Sequence, residues 1–211
     1  MSGEMNIASF DYIVVGGGSA GCVLAARLSE NANCQVMLIE AGGKDRNPLI
    51  HIPAGYIKTM VDPSINWMFE SEAETGTANR RIAIPRGKVL GGSSAINGML
   101  YVRGQVDDYN GWAQRGNPGW SYDDVLPYFK KAEHCQAMAA GDTDFDSAIR
   151  GVGGPLHVAP VQNRYEALDR VITAAEKLGW PRNKDYNSVT QDGFSYYQVN
   201  QKNGLRFSAK K

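Results

Sequence analysis

Residues 10–43, FDYIVVGGGSAGCVLAARLSENANCQVMLIEAGG, decide the fold class. The apolar, β-branched run 12–15 ends at Gly16, as a buried parallel strand does. Small and apolar residues from Ala20 to Leu28 predict a helix, with Asn31 and Asn33 near its stop. QVMLIE at 35–40 predicts a second buried strand. Strand, helix and strand in this order make a β-α-β unit with a right-handed crossover.

Gly16, Gly18 and Gly21 open that helix in the spacing G-x-G-x-x-G. The first glycine makes the tight turn and the second admits a pyrophosphate against bare backbone. The third lets helix and strand approach closely. Phosphates then meet the helix N-terminus, at Ser19 and Ala20, where unpaired N–H groups and the helix dipole favour anions. Glu40 closes the second strand 19 positions after Gly21 (40 − 21), where a carboxylate takes both ribose hydroxyls, and Ala41 follows it. The acid disfavours a 2′-phosphate and so disfavours NADP, leaving NAD and FAD open.

Hydrophobic residues make up 43% of the 211, enough for a packed core, and 22 basic side chains balance 22 acidic ones. That balance speaks against nucleic acid or an anionic membrane surface as partner, since both call for a basic excess. No apolar run reaches the ~18–20 residues of a membrane span. The start, MSGEMNIASF, lacks the basic head and apolar stretch of a secretory leader. Cys22, Cys34 and Cys135 lack metal-ligand spacing and fit separate thiols in a reducing compartment. The expected setting is the cytoplasm, with no metal site.

Pro48, Pro53 and Pro63 keep residues 44–80 irregular. RIAIPRGK at 81–88 alternates like a strand, and residues 106–116 and 121–135 read as two short helices. Ser121 is the expected N-cap of the second, with Asp123 and Asp124 in its first turn. Asp107 and Asp108 read as first-turn charges of the other. The polar, glycine-rich stretch 139–154 reads as a joint between domains. Beyond it, 155–161 reads as a strand, 164–180 as an amphipathic helix and 193–201 as another strand.

GKVLGGSSAINGMLYVRG at 87–104 separates NAD from FAD. Gly91 and Gly92 remove β-carbons, Ser93 and Ser94 supply hydroxyls, and an apolar run carrying Asn97 then buries the segment. The stretch resembles the signature of the glucose–methanol–choline (GMC) flavin oxidoreductases. Residues 11–43, Asn66–Trp67, 101–104 and 116–133 are similar to that family too, nearest to its choline-dehydrogenase-like branch.

The resemblance implies an α/β fold: a Rossmann-like FAD-binding domain of GMC type over 1–140, with its β-α-β unit at 11–40 and the signature at 86–104. Residues 151–211 would then begin an α+β substrate-binding domain whose remainder lies outside the chain. It implies that Gly87, Val89, Gly91, Gly92, Ser94, Asn97, Gly98 and Met99 lie along FAD, with Trp67 near it. Members with covalent flavin carry a histidine just before the signature's Asn. Ile96 stands there and has no nucleophile, so the FAD is expected to be non-covalent.

The implied reaction is oxidation of a small primary alcohol to an aldehyde by hydride transfer to flavin N5. The family's catalytic histidine and its His or Asn partner are expected beyond Lys211, so no residue here is assigned as the base. Alternatives are a truncated, non-catalytic fragment, a hydroxynitrile lyase of the same fold, and an NAD dehydrogenase. The missing C-terminal portion is an expected partner of the fragment. His51, His134 and His157 read as structural, with His134 ending a helix. The tryptophans other than Trp67 read as packing residues. Tyr101 and Arg103 either border the flavin and substrate channel or pack.

Overall fold

The computed structural model describes residues 9–211, so the leader expectation at the first residues lies outside the described part. The chain forms two compact units, residues 9–98 with 208–211 and residues 99–207.

In the first unit, β1 (Tyr12–Val15), α1 (Ser19–Leu28) and β2 (Val36–Ile39) form the β-α-β unit. β1 and β2 are parallel, in register from Tyr12↔Val36 to Val15↔Ile39. The expected burial of both strands does not hold. Among the described residues β1 pairs only with β2, and Ile13 and Val15 are 59% and 82% exposed. Such β-branched strands need a covering layer on each face, and here only Val14 of β1 is buried.

Short helical turns α2 (Pro48–His51) and α3 (Tyr56–Thr59) follow. β3 (Phe69–Glu70) and β4 (Ala83–Ile84) then pair as an antiparallel ribbon. The strand expected at 81–88 is therefore two residues long, extended only by an isolated bridge between Asn66 and Gly87. The core is a cluster of Ile50, Ile65, Val89, Ala95 and Ile96.

The second unit holds α4 (Val106–Gln114), α5 (Tyr122–Ala132), β5 (Glu133–Cys135), α6 (Gln136–Ala139), β6 (Leu156–Pro160), α7 (Glu166–Lys177), β7 (Gln198–Val199), β8 (Gln201–Lys202) and β9 (Leu205–Arg206). Ser121 caps α5 as expected, accepting from the Asp124 amide while the Asp124 carboxylate takes the Ser121 N–H. Asp107 and Asp108 lie in the first turn of α4. β5 runs parallel to β6, and β7 joins β6 antiparallel.

α5 stops at Ala132, and His134 stands in β5, not at a helix end. In α7 only Ile172 and Ala175 are buried, so its apolar stripe is half covered. The 193–201 strand is broken into β7 and β8. Residues 202–205 close the β8–β9 hairpin, with Asn203 and Gly204 both at positive φ, the turn that an Asn-Gly pair favours.

The stretch 139–154, expected as a joint between domains, lies inside this unit; it is exposed over 139–148 apart from half-buried Phe145, and buried at 149–151. Arg150 is its largest fully buried side chain, and Ile149 is buried beside it. Arg150 donates to the buried Glu133 carboxylate through Nε (3.0 Å) and Nη2, and to Asp185 Oδ1 through Nη1 (2.6 Å). Arg103 Nη2 donates to the same Glu133 at 2.7 Å. Two arginines and two carboxylates thus balance one another. Burial alone would lower the Arg150 pKa, but bonding to Glu133 holds it above the ordinary value. This also answers the question about Arg103: it packs.

Trp112, Trp120 and Trp180, expected to pack, are each part-exposed and pack by one face only: Trp112 and Trp120 lie obliquely on each other beside Tyr109, and Trp180 stands edge-on to Phe194.

Candidate functional site

The glycine loop of the first unit is built as its spacing predicts. Gly16 sits at φ +99°, and its N–H bonds the Ile39 carbonyl at 2.7 Å, tying the end of β1 to β2. A β-carbon on Gly21 would stand 1.8 Å from the Gly16 carbonyl oxygen, so only glycine lets α1 start there. Gly18 is different. A β-carbon on it would meet nothing nearer than the Gly92 Cα at 3.9 Å, and its φ of −79° is open to any residue. The protein's own packing does not require glycine at 18. Gly18 caps α1 without any side-chain bond, so the first-turn N–H groups at exposed Ser19 and Ala20 have no side-chain cap.

Glu40 stands beside this loop. Its Oε2 accepts the Gly17 N–H at 2.6 Å and its Oε1 the Gly42 N–H at 2.8 Å. The expected ribose carboxylate therefore also braces the loop, with Ala41 exposed next to it. Cys22 Sγ bonds the Gly17 carbonyl at 3.2 Å, and burial raises the thiol pKa, keeping it protonated.

The signature is tied directly onto this loop: the Gly91 N–H donates to the Gly17 carbonyl at 2.7 Å. Residues 88–90 run beside 42–43, Leu90 N–H bonding Gly43 O at 2.9 Å. A β-carbon on Gly87 would lie 2.2 Å from Gly92 O, and Ser93 Oγ accepts the Gly87 N–H at 3.1 Å. Ser94 donates its hydroxyl proton to Gly91 O at 2.6 Å and accepts the Ala209 N–H at 3.0 Å. That proton is thus spent within the turn.

Val89 and Ile96 turn their side chains into the apolar cluster, so Val89 offers only backbone outward. Asn97 is exposed, Gly98 is half-buried, and Met99, at φ +64°, opens the second unit as a buried residue. Trp67 does not stand in the glycine loop; it lies flat against Phe69 (5.9 Å, 8°) with Lys88 Nζ over its ring at 4.7 Å. Its neighbour Asn66 is buried and bonds Met60 O, Met68 N and Arg86 N, so that half of the Asn–Trp pair builds the fold.

Sequence reading missed Gly17, Asp45 and residues 208–210. Gly17 sat inside the motif and carried a signal. The others carried none, because they reach the site only through tertiary contacts.

The histidines hold local structure. His51 Nε2 meets the Asp45 carbonyl at 2.8 Å, and His134 Nδ1 accepts the Gly153 N–H at 3.0 Å. His157 Nδ1 bonds Gln201 O at 2.8 Å, its ring 5.1 Å from that of His134. Among the described residues no group of three His, Cys, Asp or Glu could hold a metal ion, the cysteines are free, and no helix is long and apolar enough to cross a membrane.

Comparison with known proteins agrees with this geometry. The chain is 43% identical over 199 residues to an oxygen-dependent choline dehydrogenase of Rhizobium johnstonii, and 43% over 204 residues to one of Vibrio vulnificus. Each alignment covers 94% of this chain and 35% of the relative, so the chain spans about a third of their length. Among solved structures, pyridoxine 4-oxidase from Mesorbium loti superposes with a TM-score of 0.85 at 36% identity, over 95% of this chain and 38% of that one. An FAD-dependent oxidoreductase from Chaetomium thermophilum gives 0.83 at 32%, over 96% and 35%. Residues 10–211 match the GMC oxidoreductase family, and with the two glycine turns joined as described, the chain belongs to it.

Proposed function

We propose that this chain is the N-terminal, FAD-binding part of a GMC enzyme that oxidises a primary alcohol to an aldehyde. The observation that carries the cofactor is Gly18, a glycine that packing leaves unexplained, at the uncapped start of α1. A ligand lying against that backbone explains it, and an anionic diphosphate suits the helix end. The residues fit the group.

In this reading Gly16, Gly18, Ser19, Ala20 and Gly21 hold the diphosphate, and Glu40 with Ala41 holds the ribose. Gly87, Val89, Gly91, Gly92, Ser94, Asn97, Gly98 and Met99 line the rest, with Trp67 near it. Bound FAD would supply the hydride acceptor, N5, for the alcohol carbon. The chain's own residues bind and orient. The N–H groups of α1 offset the diphosphate charge, Glu40 fixes the loop, and Gly91 and Gly92 leave the turn without Cβ atoms at those two positions. Ile96 is buried in the core and offers no nucleophile, which supports non-covalent FAD.

Residues 1–140 are assigned to the cofactor and 151–211 to the start of the substrate domain, a functional division that differs from the two compact units, in which 208–211 pack with the first. A histidine base with a His or Asn partner is assigned to the part of the relatives that this chain does not span. A small alcohol is the partner, and free thiols suit the cytoplasm.

The test is titration of the purified chain with FAD, followed by quenching of flavin fluorescence. Saturable binding is expected, and no quenching would overturn the cofactor reading. Acid precipitation should release the flavin into the supernatant, and flavin retained in the pellet would refute non-covalent attachment. A flavin-loaded protein of full family length that no primary alcohol bleaches anaerobically would refute the alcohol reading.

A further inference from the structure

Residues 208–210 return to the first unit and meet the signature turn, 115 positions away in sequence at Ala209 and Ser94. Lys210 Nζ pairs with Asp45 Oδ1 at 2.7 Å, where the Asp45 side chain is 6% exposed and that of Lys210 34%. Asp45 Oδ2 is buried with no hydrogen-bond partner, and His51 Nε2 stands 4.0 Å from it. A buried carboxylate demands a countercharge, so Asp45 holds Lys210 firmly. One residue earlier, the Ala209 N–H donates to Ser94 Oγ at 3.0 Å, leaving the Ser94 proton for Gly91 O at 2.6 Å. A β-carbon position on Gly91 lies 3.5 Å from both Lys210 Cβ and the buried Ser208 Oγ, so the returning segment packs on the turn itself.

We propose that the Asp45–Lys210 ion pair is a clasp that positions the 91–94 turn for FAD, acting through Ala209 and the Ser94 hydroxyl. Asp45 and Lys210 are positioning residues and need not touch the cofactor. The proposal rests on the FAD reading and adds the device that sets the geometry of the turn.

The experiment measures FAD dissociation constants of the 211-residue chain by flavin fluorescence, with far-UV circular dichroism confirming that each variant is folded. Lys210→Met should weaken FAD binding about tenfold, the effect of one lost hydrogen-bonded contact, while Lys210→Arg should restore it to within about twofold. In a Ser94→Ala background, Lys210→Met should cost less than about twofold more, because the hydrogen-bonded route from Ala209 to the turn is then gone and only the packing on Gly91 remains.

Wild-type affinity in Lys210→Met, or loss of binding in Lys210→Arg equal to that in Lys210→Met, would overturn the clasp. So would an undiminished Lys210→Met penalty without the Ser94 hydroxyl. Variants that lose the folded spectrum would also overturn it, assigning the pair to stability alone. A wild-type chain that takes up no FAD would overturn the cofactor reading, and the clasp with it.

Discussion

The backbones of Gly18 and Gly92 face each other across the two glycine turns: a β-carbon on Gly92 would stand 2.6 Å from the Gly18 Cα, while one on Gly18 would be 3.9 Å from the Gly92 Cα. The contact is asymmetric, and the two glycines are there for different reasons. Gly92 also sits at φ +55°, where a side chain costs about 1–2 kcal/mol. Gly92→Ala should therefore lower the melting temperature of the FAD-free chain. Gly18→Ala meets no clash and should cost only the ~0.5–1 kcal/mol by which alanine is the poorer N-cap, less than Gly92→Ala, yet weaken FAD binding. Calorimetry without FAD and fluorescence titration with it check the pair.

Glu133 is fully buried and accepts from Arg103, Arg150 and the Gly151 N–H. Glu133→Ala removes the carboxylate that two buried guanidinium groups share, leaving Asp185 as the carboxylate partner of Arg150, and should cost about 3–5 kcal/mol. Urea unfolding followed by tryptophan fluorescence would show it, and a loss below about 1 kcal/mol would contradict the ionic account of this unit.

Ile96 contributes to the only apolar cluster found among the described residues of the first unit. Ile96→Ala should cost about 2–5 kcal/mol, read by the same unfolding curve. Ile96→Val should cost about 0.5–1.5 kcal/mol.

Burial lowers the His157 pKa below its ordinary value of 6.5, and the nearby His134 and Lys202 lower it further against the bond to Gln201. The unfolded chain then binds a proton more readily than the folded one. This part of the stability is present above about pH 6.5 and is lost as pH falls below it towards the folded pKa. Melting temperature should drop over that range in the wild type and drop less in His157→Gln. Equal slopes for the two would show that His157 does not titrate in this way.

Much of the architecture was legible because its signals are local. The apolar runs 12–15 and 36–39, the glycine spacing at 16, 18 and 21, and the Ser121–Asp124 cap each involve neighbours within a few positions. The Asn203–Gly204 hairpin is equally local in its signal. What stayed hidden depends on who lies opposite. The polar stretch 139–154 reads as a joint between domains until Arg150, at its buried end, is seen to meet Glu133, 17 positions away, and Asp185, 35 away.

By itself, then, the sequence determined the β-α-β unit, the two glycine turns and the family to which they belong, because backbone sterics and helix capping act over a few residues. The tertiary structure alone decided that the two turns touch, that Glu40 braces the loop, and that β1 and β2 expose apolar faces. It also brought Lys210 to Asp45 across 165 positions. The physical reason is that a charge or a β-branched side chain carries no record of its partner: burial and pairing are properties of the folded chain, set when distant segments close on one another.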